Sequence, residues 1–458
     1  MGLVLSGLML CMLLGALDQT IMAPALPAVA AGLGGLDRMS AVISAYLVAA
    51  TVVMPVYGKL GDRYGRKPVM QAAILIFVTG AVLCAFATSM PLFIAARAVQ
   101  GIGGGGLMIG AQAIIGEVVS PRERGRYLGL IGAAYVVAAV GGPLIGGFVI
   151  DRMSWRYIFA IYPPLGLLAL VVLTATLKLP KPADRAPLDV AGAVTLGVAV
   201  LGVVLLGESG NPAYLGLAAA GTAGWLISAR YTDDPILPLR LFRDRAFAVP
   251  VAISFIIGFA LFGAVSYLPA YAQIALHASA TRAGLMVTAL MGGVLLTTIV
   301  SGRLISKTGV YKPYPIAGTL VAASGMGLIG LAGASVAGLV VAMVLTGMGV
   351  GLVMQVMVLA AQNAVTYADL GAATSSVTFL RQIGASAGVA LVGALITMRS
   401  GISGSSPAAL PPGVREAFAQ AVPPVFAAMA PLLVVAFVLA LIMPARPLRT
   451  TAYVEERQ

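Results

Sequence analysis

The chain has 458 residues, 60% of them hydrophobic and 10% charged, with a mean hydropathy of +1.01. A soluble domain is about one quarter charged, and so few ionic groups could not clothe a water-facing globule of this length. A soluble enzyme and a disordered chain are therefore excluded, and an integral membrane protein built of many helices is indicated. The net charge is +12, from 28 Lys+Arg against 16 Asp+Glu, and reads as cationic loops facing an anionic leaflet. No basic run is interleaved with an aromatic platform, so nucleic acid is not an expected partner.

The amino terminus enters an apolar run at Leu3 with no basic leader, which predicts a first span rather than a cleaved signal peptide. Runs of about 20 apolar residues, the length that crosses a bilayer, fall at 3–27, 39–60, 68–88, 91–118, 127–150, 158–177, 188–206, 214–230, 247–270, 284–302, 314–332, 337–363, 373–398 and 423–444. That makes fourteen spans, an all-α integral membrane protein. The seventh and eighth are short and joined by the turn-like stretch from Gly207 to Pro212. An even count puts both termini on one side. Alternate connections carry only Arg38, Arg152, Arg156, Arg282, Arg399 and Arg415; Arg97 and Arg381 fall inside spans, and the other 20 of the 28 cations share the opposite side. This bias places both termini in the cytoplasm.

Cys11 and Cys84 lie in apolar runs without metal-ligand spacing and read as packing residues, and His277 reads as a solvated loop residue. The tetraglycine 103–106 lacks the Lys-Ser/Thr of a phosphate loop and predicts close helix packing inside the fourth span. No catalytic constellation, metal site or cofactor is expected.

The chain repeats itself. Gly58-Lys59-Leu60-Gly61-Asp62-Arg63-Tyr64-Gly65, after the second span, matches Gly302 to Gly309, after the tenth, at an offset of 244 residues. Gly101, Gly103, Gly105 and Met108 match Gly347, Gly349, Gly351 and Met354 at an offset of 246. Two matches at nearly one offset predict duplicated six-helix halves around a central cavity, a transporter architecture. The domains are then a first bundle at 1–177, two inserted helices and a connection at 178–246, a second bundle at 247–444 and a cytoplasmic tail at 445–458.

An ionisable group inside a span is a functional hypothesis by default. Asp18 lies about 15 residues into the first span, and Arg97 six residues into the fourth. At 1.5 Å per residue in a core about 30 Å thick, they stand roughly 8 and 9 Å from the same outer face. They are expected to influence one another, and the proton occupancy of Asp18 would depend on how dry its surroundings are and how near the guanidinium stands. A cationic substrate would compete with the proton, which is sufficient for antiport. Arg381 has no acid at its depth and is a candidate for backbone carbonyls or an anionic substrate group. Spans nine to fourteen hold no acid in their interiors, so neutral, monocationic or zwitterionic amphiphiles are expected rather than dications. Candidate cavity residues are Tyr46, Gln112, Tyr135, Phe259, Tyr267, Tyr271, Met354, Gln355, Asn363 and Arg381.

At the cytoplasmic face Gly58, Asp62, Arg63, Gly65, Arg66 and Lys67 form an ionic loop, and Glu117 lies in the same layer, within reach of Arg63 or Arg66. Such a cluster would latch that side shut. The complete G-x-L-x-D-R-x-G-R-K pattern resembles the signature of the major facilitator superfamily, and the resemblance covers essentially the whole chain. It implies that Asp62 docks near the amino end of the span that starts near Thr374, an anion on a helix N-terminus. Gly132 and the run Gly142-Pro143-Leu144-Ile145-Gly146-Gly147 resemble the superfamily's antiporter motif, which implies export. Leu17-Asp18-Gln19-Thr20, Trp155 to Phe159 and Phe379 to Gly384, with the span count, resemble the fourteen-span drug:proton antiporter branch. Arg97 with Gln100-Gly101 matches that family's span-four arginine, implicated in proton transfer. The expectation is a monomeric, proton-driven exporter of amphipathic small molecules in the cytoplasmic membrane, with protons and lipids as its other partners. A dedicated exporter of one antibiotic, metabolite or lipid, and a non-transporting sensor or assembly partner, stay open at this point.

Overall fold

The computed structural model describes residues 2–34, 38–179, 188–209, 211–278, 280–331, 335–400, 412–448 and 450. Lys181, Arg185, Arg449, Gly210 of the expected turn, and residues 451–458 of the expected tail, Arg457 among them, lie outside the described residues. The described residues hold sixteen α-helices and no strand: α1 (Gly2–Leu33), α2 (Met39–Tyr64), α3 (Arg66–Ala85), α4 (Met90–Val118), α5 (Pro121–Arg152), α6 (Arg156–Ala160), α7 (Tyr162–Thr176), α8 (Val190–Ser209), α9 (Ala213–Tyr231), α10 (Arg245–Ala275), α11 (Ala280–Thr308), α12 (Pro313–Leu331), α13 (Val336–Ala364), α14 (Leu370–Ser400), α15 (Pro412–Ala427) and α16 (Ala430–Ile442). Eleven helical stretches among them are long and apolar enough to cross a membrane. These do not include α8, α9 or α12, which stand where the sequence places its seventh, eighth and eleventh spans.

Three of the differences from the hydropathy reading have a backbone reason. The sixth span is broken at Ile161 into α6 and α7, because Pro163 and Pro164 donate no N–H and crowd the preceding turn. The last span begins eleven residues earlier than 423, at Pro412, and is broken before Ala430, where Pro431 ends the hydrogen-bond ladder in the same way. The expected loop from Gly58 to Lys67 is mostly helix: α2 runs to Tyr64 and α3 starts at Arg66, so Gly65 alone makes the turn, at φ +92°. Gly309 closes α11 at φ +73°. Only glycine adopts that half of backbone space without strain, and the two turns stand 244 residues apart.

The repeat is also visible in the packing. Lipid tails are as apolar as leucine, so membrane helices associate through close backbone approach rather than hydrophobic burial. In α4, a methyl group added at Gly101 or Gly105 would strike the α2 backbone at Tyr46 or Ala50, and one at Gly103 the α3 backbone at Phe77. In α13, additions at Gly347 and Gly351 would strike α11 at Leu290 and Val294, and one at Gly349 would strike α12 at Ala322. Each of these helices is thus wedged between two partners by the matched glycines. Likewise α1 pairs with α5, and α10 with α14. We call α1–α7 the first set and α10–α16 the second. The sets meet along two seams, α2 with α14 and α5 with α11. Outside both, α8 packs on α9, α2 and α14. Asp189 ties this pair together by accepting from the Gly192 N–H and the Ser228 hydroxyl, both at 2.7 Å.

Candidate functional site

Inside the first set, α1 presents Asp18 to Arg97 and Gln100, which lie one turn apart on α4. Arg97 Nη1 donates to both carboxylate oxygens, at 2.9 and 2.8 Å. Gln100 Nε2 donates to Oδ1 at 2.9 Å, while Gln100 Oε1 accepts from Arg97 Nη1 at 2.8 Å. The three side chains close a ring with 0%, 1% and 0% exposure for Asp18, Arg97 and Gln100. Arg97 also lies over the Tyr46 ring, 4.5 Å from its centroid, and the Tyr46 hydroxyl donates to the Gly15 carbonyl at 3.3 Å. Tyr46 therefore belongs to the wall of the ion pair rather than to an open cavity. Tyr162 is buried close to Asp18, within an aromatic chain between Phe77, which it meets edge-to-face, and Phe159, which leads on to Phe93 and Trp155. The proline break between α6 and α7 sets it there, and hydropathy alone carries no sign of it.

A second cluster closes the cation-rich end. Arg66 Nη2 donates to Asp62 at 2.6 Å and its Nε to Glu117 at 2.7 Å. Asp62 then reaches across to the second set, accepting from the Gly371 and Ala372 N–H groups at 3.0 Å each. These are unsatisfied donors of the first turn of α14, where an anion is favoured. Gly58 lets the helices meet: a methyl group there would stand 2.6 Å from the Gly371 carbonyl oxygen. Glu117 is bound from the other side by the Tyr367 hydroxyl at 2.5 Å, a partner on a short turn between α13 and α14 that no sequence motif marks. Arg63 does not join this network; it lies over the Tyr64 ring. Nor does Lys67, which donates to the Thr174 carbonyl of α7 at 2.7 Å.

One layer deeper, Gln362 Nε2 donates to the Gln112 carbonyl at 3.2 Å and Thr378 Oγ1 to the Gln112 side chain at 3.2 Å. On the other seam Ser306, which follows Asp62 by 244 residues, takes the matching place at the start of α5. It accepts from the Arg126 N–H at 3.1 Å and donates to the Glu123 carbonyl at 3.3 Å. Toward the opposite end of these helices, Gly141 and Gly147 of α5 and Gly284 and Gly292 of α11 face open space.

The glycines of the expected antiporter motif divide by face. Gly142 and Gly146 receive α1, at Thr20 and Ile21, and the Thr20 hydroxyl donates to the Ala138 carbonyl at 2.9 Å. Gly132 faces Gln355 of the second set. Pro143 lies within the helix between them. Among the other expected cavity residues, Phe259 and Tyr267 pack on α14, Tyr267 donating to the Val389 carbonyl at 3.1 Å. Tyr271 is buried in α10. Tyr135, Met354, Gln355 and Arg381 gather between the sets. Asn363 does not: its Nδ2 donates to the carbonyls of Arg446 and Pro447 at 3.3 Å and pins the chain after α16. A cleft of about 680 Å³ lies elsewhere again, lined by aliphatic residues of α2, α4 and α8 such as Val48, Val52, Ile102 and Val198.

Two duplicated helix sets, joined across their interior by hydrogen bonds and holding a buried ion pair, define a multi-pass membrane transporter. The chain belongs to the Major Facilitator Superfamily, whose family model matches residues 8–389, a class of membrane transporters rather than enzymes. It is 34% identical over 411 residues to the multidrug transporter protein MdtP of Bacillus subtilis (strain 168), covering 87% of this chain and 76% of that one. It is 32% identical over 406 residues to multidrug resistance protein 3 of the same organism, covering 86% and 79%. In three dimensions it is similar to the proton:xylose symporter XylE, with a TM-score of 0.69 over 99% of this chain and 98% of that one, at 17% identity. That likeness speaks for the fold alone.

Proposed function

We propose that the protein is a proton-coupled antiporter that exports amphipathic drugs or related small molecules across the cytoplasmic membrane by alternating access. The observation that carries this reading is the ring of Asp18, Arg97 and Gln100, sealed from solvent inside a helix set. A carboxyl group so enclosed exchanges its proton only when the sets move and admit water or substrate. The names of the two Bacillus relatives support drugs as the cargo. The cation bias supports fourteen spans with the cation-rich end and both termini in the cytoplasm, and two six-helix halves with α8 and α9 inserted between them. The proton gradient drives the cycle, with no cofactor, and a monomer embedded in lipid suffices because each seam lies within one chain.

In this scheme the cluster of Asp62, Arg66 and Glu117 holds the cytoplasmic end shut. A proton entering from outside neutralises Asp18 and loosens its hold on Arg97. The sets then rock, the latch releases, and cargo from the cytoplasm displaces the proton. The test is proton release from purified protein in proteoliposomes on adding a panel of amphiphiles. Release that is saturable and is lost in Asp18→Asn supports the scheme. Substrate transport by Asp18→Asn that still follows an imposed pH gradient would refute it.

A further inference from the structure

The buried charges of the molecule are unequally matched. Asp18 and Arg97 neutralise each other, and Arg66 is shared between Asp62 and Glu117. Arg381, on α14, has no ion pair among the described residues; its guanidinium donates from Nη1 to the Met354 carbonyl at a long 3.4 Å. It is 7% exposed, and lies eleven residues into α14, roughly 16 Å along a helix rising 1.5 Å per residue. A buried guanidinium without a counter-charge costs several kcal/mol, so its presence calls for a compensating group.

The residue after its acceptor is Gln355, 4% exposed, with neither Nε2 nor Oε1 hydrogen-bonded among the described residues. Gly132 of α5 makes room for this amide, since a methyl group there would stand 3.0 Å from Nε2. Tyr135 follows Gly132 by three residues, on the same helix face, and is near enough to Arg381 to interact with its charge. A guanidinium fork, an amide and a phenol, drawn from both helix sets, thus converge with hydrogen-bond donors to spare.

We infer that Arg381 and Gln355, with Tyr135 opposite, form a subsite for a carboxylate, and that the exported molecules include amphiphiles bearing one carboxylate as an anion or a zwitterion. This rests on the transport reading above and narrows its cargo. A planar carboxylate meets the guanidinium fork in two parallel bonds, cancels the unmatched charge and engages the idle Gln355 amide. Because the donors come from both sets, bound cargo bridges the sets and senses their movement. A purely cationic amphiphile gains none of this and meets a like charge.

The test uses matched fluorescent pairs: dansyl-phenylalanine, dansyl-leucine and dansyl-tryptophan against their methyl esters, bound to the full-length protein in nanodiscs. The acids should bind about ten- to a hundredfold more tightly than the esters, the range of one charge-assisted hydrogen-bonded pair. Arg381→Met and Gln355→Leu should erase that preference, weakening the acids far more than the esters. Arg381→Lys, keeping charge without the fork, should retain part of it. A structural role is separated by melting without ligand. Arg381→Met should melt no lower than the parent, because an unmatched buried charge has been removed; a marked drop would assign Arg381 to holding α13 and would overturn the subsite. Equal binding of acids and esters, or of neither, would overturn it too. Pumping of ethidium measured alongside keeps the two readings distinct: ethidium efflux that continues while the acid preference is absent refutes the subsite and leaves proton-coupled export standing.

Discussion

Replacing Asp62 by Asn tests the latch with almost no change of shape. The carboxylate accepts from Arg66 within its own set and from the Gly371 and Ala372 N–H groups across the seam. An asparagine offers one acceptor oxygen and turns an NH2 toward the remaining donor. One cross-seam bond is lost and the other becomes neutral, at about 1.5–3 kcal/mol for a bond to a charged group. The helix N-terminus also loses its anion, worth about 0.3–1 kcal/mol. Only the state shut at this end makes these contacts, so the equilibrium should move toward opening by roughly 2–4 kcal/mol. At 1.4 kcal/mol per tenfold that is about thirty- to seven-hundredfold. Spin labels at Tyr64 and Val310, exposed on opposite sets, report the separation by pulsed distance measurement; Cys11 and Cys84 are buried and leave the introduced thiols to react. The variant should show a longer-distance population that the parent lacks. Identical distance distributions in a variant that melts normally would refute the latch.

Three further outcomes follow from the contacts. Lys67→Ala, which removes only the bond to Thr174 of α7, should leave the same distance distribution and transport rate unchanged; a shift as large as that of Asp62→Asn would return Lys67 to the gate. Gly103→Leu drives a side chain into the α3 backbone at Phe77 and should destabilise the fold by about 1–3 kcal/mol or more, read as a lower melting temperature in detergent. In Asp18→Asn the amide oxygen keeps an acceptor for Arg97 or Gln100, so the protein should fold and exchange cargo down a gradient. Its transport should no longer respond to an imposed pH difference, measured as fluorescent-substrate efflux from proteoliposomes at several external pH values.

Depth was legible in the sequence, and direction around the helix axis was not. Counting residues from the ends of spans one and four puts Asp18 and Arg97 at a common level, and the structure sets them in contact. The same counting puts Lys67 and Glu117 in one layer, yet Lys67 turns toward α7 while Arg66, one residue earlier and 100° around the helix, faces Glu117. Asn363, a cavity candidate by its polarity and span, turns its amide toward the chain after α16. Tyr162 and Tyr367 were invisible for another reason: each is delivered by a local break in the helices, and a hydropathy window averages such breaks away. The breaks come at Pro163 and Pro431, whose missing N–H interrupts a helix while adding to its apolar average. The repeat was the most informative feature, because glycines that recur at one offset mark places where backbones touch, and those contacts fix how helices are arranged.

That recurrence has a mechanical consequence. At the start of α14 the partner is the Asp62 carboxylate; at the start of α5 it is the Ser306 hydroxyl, in the corresponding place. The two joints stand at corresponding places, but only the first holds a buried carboxylate; the second adds the exposed Arg122 guanidinium, which donates to the Lys307 carbonyl at 3.2 Å. Where Gly125 and Gly302 lie backbone to backbone, no buried anion has to leave a helix N-terminus, whereas the other joint must give up the Asp62 carboxylate before it parts. Motion should therefore begin as a swing about the side without a buried anion, in the manner of a door whose hinge and bolt were cast from a single mould.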